Sequence, residues 1–283
     1  MARILILTLA MMFGGSLSFA KDQTEPKLIL DATAHGASGT KREFTRTELL
    51  DHPAHRTLKV PVDPSYPGRQ MEYQVVPIAA LFKGLNLPSD AVIEFKCTDG
   101  FAATISQSRI LNDNTQRSVA FVAVEDPRRP WPKVKGGTSS AGPFYLVWEH
   151  PELSAVVQEE WPFQLAAFTV KGSLQSLYPA IFPAADSPAS VARGFTTFTQ
   201  NCFPCHTVNK QGPAQVGPDL NVPMSVTEYF EPKALRAIVR NPQSVRYYPG
   251  SRMSGFPEAV LPNSELEDLI AYLAHMAGRK STP

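Results

Sequence analysis

The segment Cys202-Phe203-Pro204-Cys205-His206 constrains this chain more than any other part of its sequence. Two thiols separated by two residues can each form a thioether with a vinyl group on one edge of a porphyrin. The histidine that follows can then give an imidazole nitrogen to the iron. This spacing is the attachment signature of c-type haem. It predicts one covalent haem held by Cys202 and Cys205, with His206 as an axial ligand of the iron.

The same pair of cysteines also occurs in zinc sites and in thiol–disulfide exchange. A zinc site needs two further ligands, and the sequence has no second Cys pair or His pair to supply them. A redox dithiol is expected in a thioredoxin-like βαβ context, which this region lacks. The adjacent histidine therefore favours haem.

The first 20 residues are typical of a cleaved export signal. Arg3 gives a positive start, residues 4–13 form an apolar run, and residues 18–20 provide a small-x-small cleavage site. The run is shorter than the roughly 20 residues that cross a bilayer, and no later segment is apolar enough to do so. We therefore expect an exported protein, cleaved near Ala20, with no membrane span in the mature chain. In a bacterium its location would be the periplasm.

Length and charge limit the domain count and the class of partner. Without residues 1–20, 263 of the 283 residues remain, which is enough for two domains. The formal charge of +1 falls to zero once Arg3 leaves with the signal, which argues against nucleic acid or an anionic membrane as the main partner. A change to proline, small and polar residues predicts a linker at residues 172–186.

Residues 24–171 predict a strand-rich α+β domain. A capping box at Thr45 and Glu48 predicts a short helix, and residues 126–143 predict a long loop of the kind that often carries function. Short apolar or alternating segments predict at least six strands. These segments are residues 28–30, 58–62, 71–76, 91–96, 101–105, 119–124, 144–148 and 163–170.

Three segments of this domain resemble sulfite-oxidase-like, molybdopterin-dependent oxidoreductases. They are a tyrosine, strand, proline and leucine-rich helix at residues 73–82, an Asp-Gly-aromatic hairpin at residues 98–101, and a glycine-rich loop at residues 136–145. In that family a Cys in a loop before the tyrosine segment binds molybdenum, but residues 44–70 contain no Cys. The resemblance therefore implies the fold without molybdopterin. We expect Cys97 to be a small buried side chain, with a thiolate ligand or redox thiol as the alternative.

Residues 187–283 predict an all-α domain around the haem motif. Val191, Phe195 and Phe198 recur at helical spacing just before Cys202. A second helix is predicted near residue 264, capped by Asn263 or Ser264. Its buried face would consist of Leu266, Leu269, Ile270 and Leu273.

These features resemble class I cytochromes c. In that family a glycine, here Gly194, lets the first helix cross the last one closely, and an aromatic residue, here Tyr272, lies at the crossing. The proline of a Gly-Pro-x-Leu segment offers its carbonyl to the ring N–H of the proximal histidine, which orients the imidazole. The resemblance assigns this role to Pro218 and His206.

The position of Met253 matches the axial methionine of the same family. It lies 47 residues after His206, in a loop that could place a thioether against the haem. Met224, His275, Met276 and an open position are the alternatives. Ligation by His and Met raises the reduction potential and leaves no open site, which describes an electron carrier.

Every charged residue between Glu231 and Glu258 is positive. A solvated helix face is one interpretation. In the other, Arg246 or Arg252 pairs with a haem propionate, and the remaining cations steer an acidic redox partner to the haem edge. The five cations are Lys233, Arg236, Arg240, Arg246 and Arg252.

The sequence supports three hypotheses of function. The first is an exported mono-haem c-type cytochrome that transfers single electrons between periplasmic redox partners and docks through its N-terminal domain. The second is a molybdopterin-dependent oxidoreductase fused to its cytochrome electron acceptor, and the third is a structural subunit of a respiratory complex. We favour the first, because no nucleophile–base pair or paired carboxylates stand out in residues 24–171. No catalytic residue is therefore predicted.

Overall fold

The computed structural model describes residues 25–33, 40–213, 216–247, 251 and 253–281. The predicted export signal and Arg252 lie outside the described residues. Within them, buried side chains form two hydrophobic clusters, one in the strand-rich N-terminal part and one in the helical C-terminal part, which fits two domains. None of the described helices has both the length and the apolar character needed to cross a membrane.

Two sheets build the described part of the N-terminal domain. The strands are β1 Lys27–Asp31, β2 Lys41–Thr45, β3 Arg56–Val60, β4 Met71–Pro77, β5 Val92–Cys97, β6 Ala102–Ser106, β7 Val119–Val124, β8 Phe144–Glu149 and β9 Leu165–Lys171. Three short helices accompany them: α1 Arg46–Leu50, α2 Ile78–Leu81 and α3 Gln107–Ile110.

The first sheet has the order β2-β1-β9-β5-β6 and the second has the order β3-β4-β7-β8. Only the pairing of β1 with β9 is parallel among the described strands. Alternate residues of β4 point inward, so Met71, Tyr73 and Val75 are buried. Side chains from both sheets belong to one hydrophobic cluster, so the sheets share a core.

Most predicted elements of this domain are present. The capping box is confirmed, because the Thr45 N–H donates to the Glu48 carboxylate at 2.7 Å and the Glu48 N–H donates to Thr45 Oγ1 at 3.1 Å. Strand β2 was not predicted, because it is an edge strand whose charged residues hide the usual alternation of apolar and polar residues. The hairpin of β5 and β6 is confirmed.

The C-terminal domain is built from short helices around two longer ones. Helix α4 Leu174–Leu177 lies in the segment before this domain, whose own helices are α5 Ala189–Asn201, α6 Val226–Tyr229, α7 Pro232–Arg240, α8 Pro242–Val245 and α9 Asn263–Ala277. The predicted crossing of the first and last helices is confirmed, because a Cβ atom on Gly194 of α5 would overlap the carbonyl oxygen of Asp268 in α9. Tyr272 is fully buried at this crossing, with its ring centroid 5.1 Å from that of Phe198.

The predicted cap of α9 is wrong. Pro262 occupies the N-cap position, and no side chain caps the helix. Asn263 bonds elsewhere: its Oδ1 accepts from Arg240 Nη2 at 2.7 Å, and its Nδ2 donates to Glu258 Oε1 at 2.6 Å. The side-chain oxygen of Asn263, which was expected to cap the helix, therefore accepts from Arg240 instead.

The segment predicted as a linker, residues 172–186, is packed against both domains. It contains α4 and the 3₁₀ turn Pro179–Ile181. Ile181 is fully buried in the helical core, and its carbonyl accepts from the Tyr272 hydroxyl at 2.7 Å. On the other side, the Tyr178 hydroxyl donates to Glu94 of β5 at 3.5 Å. The connection between the domains is therefore held by contacts at both ends.

Candidate haem site

The haem motif forms a tight turn directly after α5. Cys202 is the C-cap of that helix, and its carbonyl accepts from the N–H groups of Cys205 and His206 at 3.0 and 2.8 Å. Phe203 is 1% exposed and packs on Phe198 with 5.6 Å between ring centroids. The buried phenylalanine anchors the turn in the core, while the two cysteines and the histidine remain partly exposed.

The ring of His206 is held through one nitrogen. Its Nδ1 lies 2.8 Å from the carbonyl oxygen of Pro218. With the hydrogen on Nδ1, this atom donates to the carbonyl, and Nε2 keeps its lone pair for a metal. Burial lowers the pKa of His206, which favours the neutral ring that a metal requires. These residues fit an imidazole ligand of haem iron.

Gly217 permits this close approach. A Cβ atom on Gly217 would lie 2.6 Å from His206 Nδ1, so any side chain there would displace the ring. The Gly217 N–H also donates to the Cys205 carbonyl at 2.7 Å, which ties the Gly-Pro segment to the haem motif. Glycine is therefore required at residue 217 for space.

Asp219 fixes the loop that carries Pro218, a role that the sequence analysis missed. Burial alone would raise the pKa of Asp219, but backbone N–H donors and a hydroxyl hold it below its usual range. The signal in the sequence was an aspartate directly after the Gly-Pro pair. Its donors are the N–H groups of Lys210, Asn221 and Val222 and the hydroxyl of Thr207, at 2.6 to 2.8 Å.

The candidates for the second axial ligand differ in their surroundings. His275 Nε2 accepts from the Ala184 N–H at 3.1 Å, and Met276 is 1% exposed in the helical core. Met224 is 53% exposed, whereas Met253 is partly buried in a segment without regular secondary structure. His275 is therefore occupied by a backbone hydrogen bond and Met276 by packing in the core.

The segment of Met253 is fastened to the end of α7 just beyond the methionine. The Phe256 N–H donates to the Val239 carbonyl at 2.9 Å. Arg240 Nη1 donates to the carbonyls of Phe256 and Leu261 at 2.8 and 2.5 Å. This arginine therefore holds the chain between Met253 and α9.

The predicted basic face is smaller than the sequence suggested. Arg236 makes two bonds of 2.6 Å to Glu267, and Arg240 holds the loop described above. The guanidinium groups of these two are engaged within the protein, so the steering hypothesis depends mainly on the other cations. Lys233 and Arg246 are exposed, and Arg252 lies outside the described residues.

Cys97 is buried at the end of β5, with 8% of its surface exposed. Burial, and next the charge of Asp99, raises the pKa of its thiol well above its ordinary value. A thiol of that kind stays protonated and unreactive. The expectation of a buried side chain at Cys97 is therefore confirmed.

A buried carboxylate that the sequence analysis missed lies in the loop before β4. Asp63 is 2% exposed and accepts from the hydroxyls of Tyr73 and Tyr145 at 2.6 and 2.9 Å. It also accepts from the Ser65 N–H at 2.8 Å. This loop lies in residues 44–70, where the resemblance to sulfite-oxidase-like enzymes would place the metal-binding Cys. In this chain the loop carries Asp63, whose carboxylate is hydrogen-bonded by two tyrosines, and no Cys.

One comparison with known proteins bears on this geometry. Residues 191–277 match the family model of cytochrome c, a little under a third of the 283-residue chain. The match begins within α5, ends with the last residue of α9, and contains the haem motif, Pro218 and Met253. It does not extend to the strand-rich domain. The C-terminal unit of this chain is therefore a cytochrome c domain, which implies covalently bound haem c.

Proposed function

We propose that this protein is an exported mono-haem c-type cytochrome that transfers single electrons between periplasmic redox partners. The observation that carries the proposal is the 2.8 Å hydrogen bond between His206 Nδ1 and the Pro218 carbonyl, made directly beside the two cysteines. It orients the ring and leaves Nε2 for the iron. When bound, haem c supplies a one-electron couple between ferric and ferrous iron.

Cys202 and Cys205 would hold the haem by thioethers, and His206 and Met253 would be the axial ligands. Support for Met253 comes from its partly buried loop and from Arg240, which fastens that loop to α7. With both axial positions taken, the domain would carry electrons and would not bind oxygen.

Arg246 and Arg252 are the proposed partners of a haem propionate. Arg246 is exposed at the end of α8, and Arg252 directly precedes Met253 in the sequence. A guanidinium group can hold a carboxylate through two parallel hydrogen bonds. We further expect the redox partner to present an acidic docking face. It would be attracted by exposed Lys233 and by whichever of the two arginines does not bind a propionate.

The strand-rich domain is proposed to dock the cytochrome to its partner. Its residues do not fit molybdopterin, because residues 44–70 contain no thiol and Asp63 in that loop is bound by Tyr73 and Tyr145. The nearest thiol in sequence, Cys97, is buried at the end of β5. Docking is therefore favoured over a molybdenum-dependent reaction.

The test is the cofactor content of the protein purified from a periplasmic extract. We expect one iron per chain, a denatured mass that includes one haem, and a mature chain that begins at Lys21. The absence of covalent haem would overturn the proposal. Molybdenum at one atom per chain would replace it with the fused oxidoreductase. Intact and cytochrome-only chains would then be compared for their rate of reduction by the periplasmic extract, and equal rates would exclude docking by the N-terminal domain.

A further inference from the structure

Glu159 of the strand-rich domain is a partly buried acid whose place in the fold the proposed function does not explain. It lies on the 3₁₀ turn Gln158–Glu160. Its Oε2 atom is shielded from solvent and has no hydrogen-bond partner among the described residues. The carboxylate accepts a hydrogen bond from the backbone N–H of Glu159 itself. An ionised carboxylate with one oxygen shielded and unpaired is costly to hold in a protein interior.

The neighbouring residue holds the turn in place. Arg109 Nε and Nη2 bind the two carboxylate oxygens of Glu160, each at 2.7 Å. Arg109 Nη1 also donates to the Ser154 carbonyl at 2.9 Å, and the Trp148 indole donates to the Glu160 carbonyl at 2.8 Å. These bonds fix the backbone of the turn that carries Glu159.

This turn packs against α5, the helix that ends at Cys202. Burial, and next the charge of Glu159, raises the pKa of the Cys202 thiol well above its ordinary value. The carboxylate of one domain therefore acts electrostatically on the residue that carries a proposed haem thioether in the other.

No neighbouring cation neutralises Glu159 among the described residues. Arg109 of α3 is bound to Glu160, whose charge itself acts on Glu159. Arg193, which carries the only charge on α5, is bound to Asp268 at 2.7 Å, and β6 has no charged residue. Burial raises the pKa of Glu159 to about 7, so this carboxyl changes its charge near neutral pH.

We propose that Glu159 is the residue through which the strand-rich domain sets the reduction potential of the cytochrome domain. Ionised, its charge on the turn that packs against α5 stabilises the oxidised state of the site. When the chain accepts one electron from a one-electron donor, Glu159 takes up one proton from solvent, so the net charge of the site is unchanged. The inference rests on the proposed function, since it requires haem at Cys202 and Cys205.

The test is a spectroelectrochemical titration of full-length haem-loaded protein between pH 5 and pH 9. In the wild type we expect the midpoint potential to fall as pH rises through the pKa of Glu159, by up to about 59 mV per pH unit, a tenfold change for one proton per electron. Glu159→Gln should remove this dependence and give a higher potential than the wild type at pH 8. Glu152→Gln is the matched control, because this acid of the same segment has 66% of its side chain exposed and should behave as the wild type.

Haem-loaded wild type with a potential independent of pH would overturn the inference and leave the proposed function intact. The same holds if Glu159→Gln keeps the wild-type slope. A purified chain without haem would overturn both. Should the variant fail to fold, infrared difference spectra of the wild type decide: reduction must add a protonated carboxyl band that shifts in D₂O, and its absence rejects the proposal.

Discussion

Gly194 of α5 lies so close to Asp268 of α9 that a Cβ atom on the glycine would overlap the aspartate carbonyl oxygen. The side chain of Asp268 also binds Arg193 Nε at 2.7 Å, so backbone and side chain both take part in the crossing. Because α5 leads directly into Cys202, the crossing sets where the haem motif begins.

Gly194→Ala should therefore destabilise the cytochrome domain by at least about 1–3 kcal/mol, the usual cost of overpacking a core. Chemical denaturation followed by helical circular dichroism measures the loss. Gly278→Ala is the control, because a Cβ atom there would meet nothing nearer than the His275 carbonyl at 3.7 Å. Equal stability of the two variants would contradict the crossing geometry.

Loss of the two motif cysteines should abolish covalent haem. Cys202→Ala with Cys205→Ala leaves no thiol in the turn, whereas Cys97→Ala removes a buried thiol of the other domain. The denatured mass should lack haem in the double variant and include it in Cys97→Ala. Haem that survives denaturation in the double variant would place the attachment elsewhere.

Features set by neighbours along the chain could be predicted from the sequence. The capping box at Thr45 and Glu48 depends on residues three apart, and both of its bonds are present. The helical spacing before Cys202 was visible for the same reason, whereas the close crossing at Gly194 was expected only from the resemblance to class I cytochromes c, because its partner Asp268 lies far along the chain. Such interactions can be predicted, because the two interacting residues are only three or four positions apart in the sequence.

Features that depend on distant partners could not be predicted. Asp63 and Tyr145 are 82 residues apart, and Arg240 and Asn263 are 23 residues apart. The Arg240 bond also explains why the predicted cap of α9 failed. Similarly, no local pattern indicates that the turn of Glu159 packs against α5, since the two belong to different domains.

Met253→Ala should remove the axial thioether. The sulfur-to-iron charge-transfer band at the red edge of the oxidised spectrum should disappear, and the reduction potential should fall, because methionine ligation raises it. Met224→Ala is the matched control, since this side chain is 53% exposed. If the wild type lacks the band, Met253 is not the ligand. If the band is lost in Met224→Ala instead, the assignment moves to that residue.

Arg240→Ala should weaken the loop that carries Met253. It removes donors to two backbone carbonyls and to the side chain of Asn263, so we expect a loss of about 2–4 kcal/mol. The charge-transfer band should weaken as well, since the loop after Met253 loses its attachment to α7. Lys233→Ala, an exposed change on the same helix, should stay within about 0.5 kcal/mol of the wild type. If the band keeps its wild-type intensity in Arg240→Ala, this arginine does not help to position Met253.

The partly buried Glu159 should also make folding stability depend on pH. Burial raises the pKa of Glu159 from 4.5 to about 7, so between these values the folded chain binds more protons than the unfolded one. The contribution of Glu159 to the free energy of unfolding therefore falls as pH rises from 4.5 to 7, by at most about 3 kcal/mol, and stays constant above that range.

Glu159→Gln removes this ionisation while keeping the shape of the side chain. Relative to the wild type, we expect little change in stability at pH 4 and a gain of about 1–3 kcal/mol at pH 8. Urea denaturation at the two pH values measures the difference, with Glu152→Gln as the exposed control that should keep the wild-type pH dependence. An equal change in the free energy of unfolding at pH 4 and pH 8 would mean that the carboxyl does not ionise at the interface. A lower free energy of unfolding than the wild type at pH 8 would mean that a group outside the described residues stabilises the charge of Glu159.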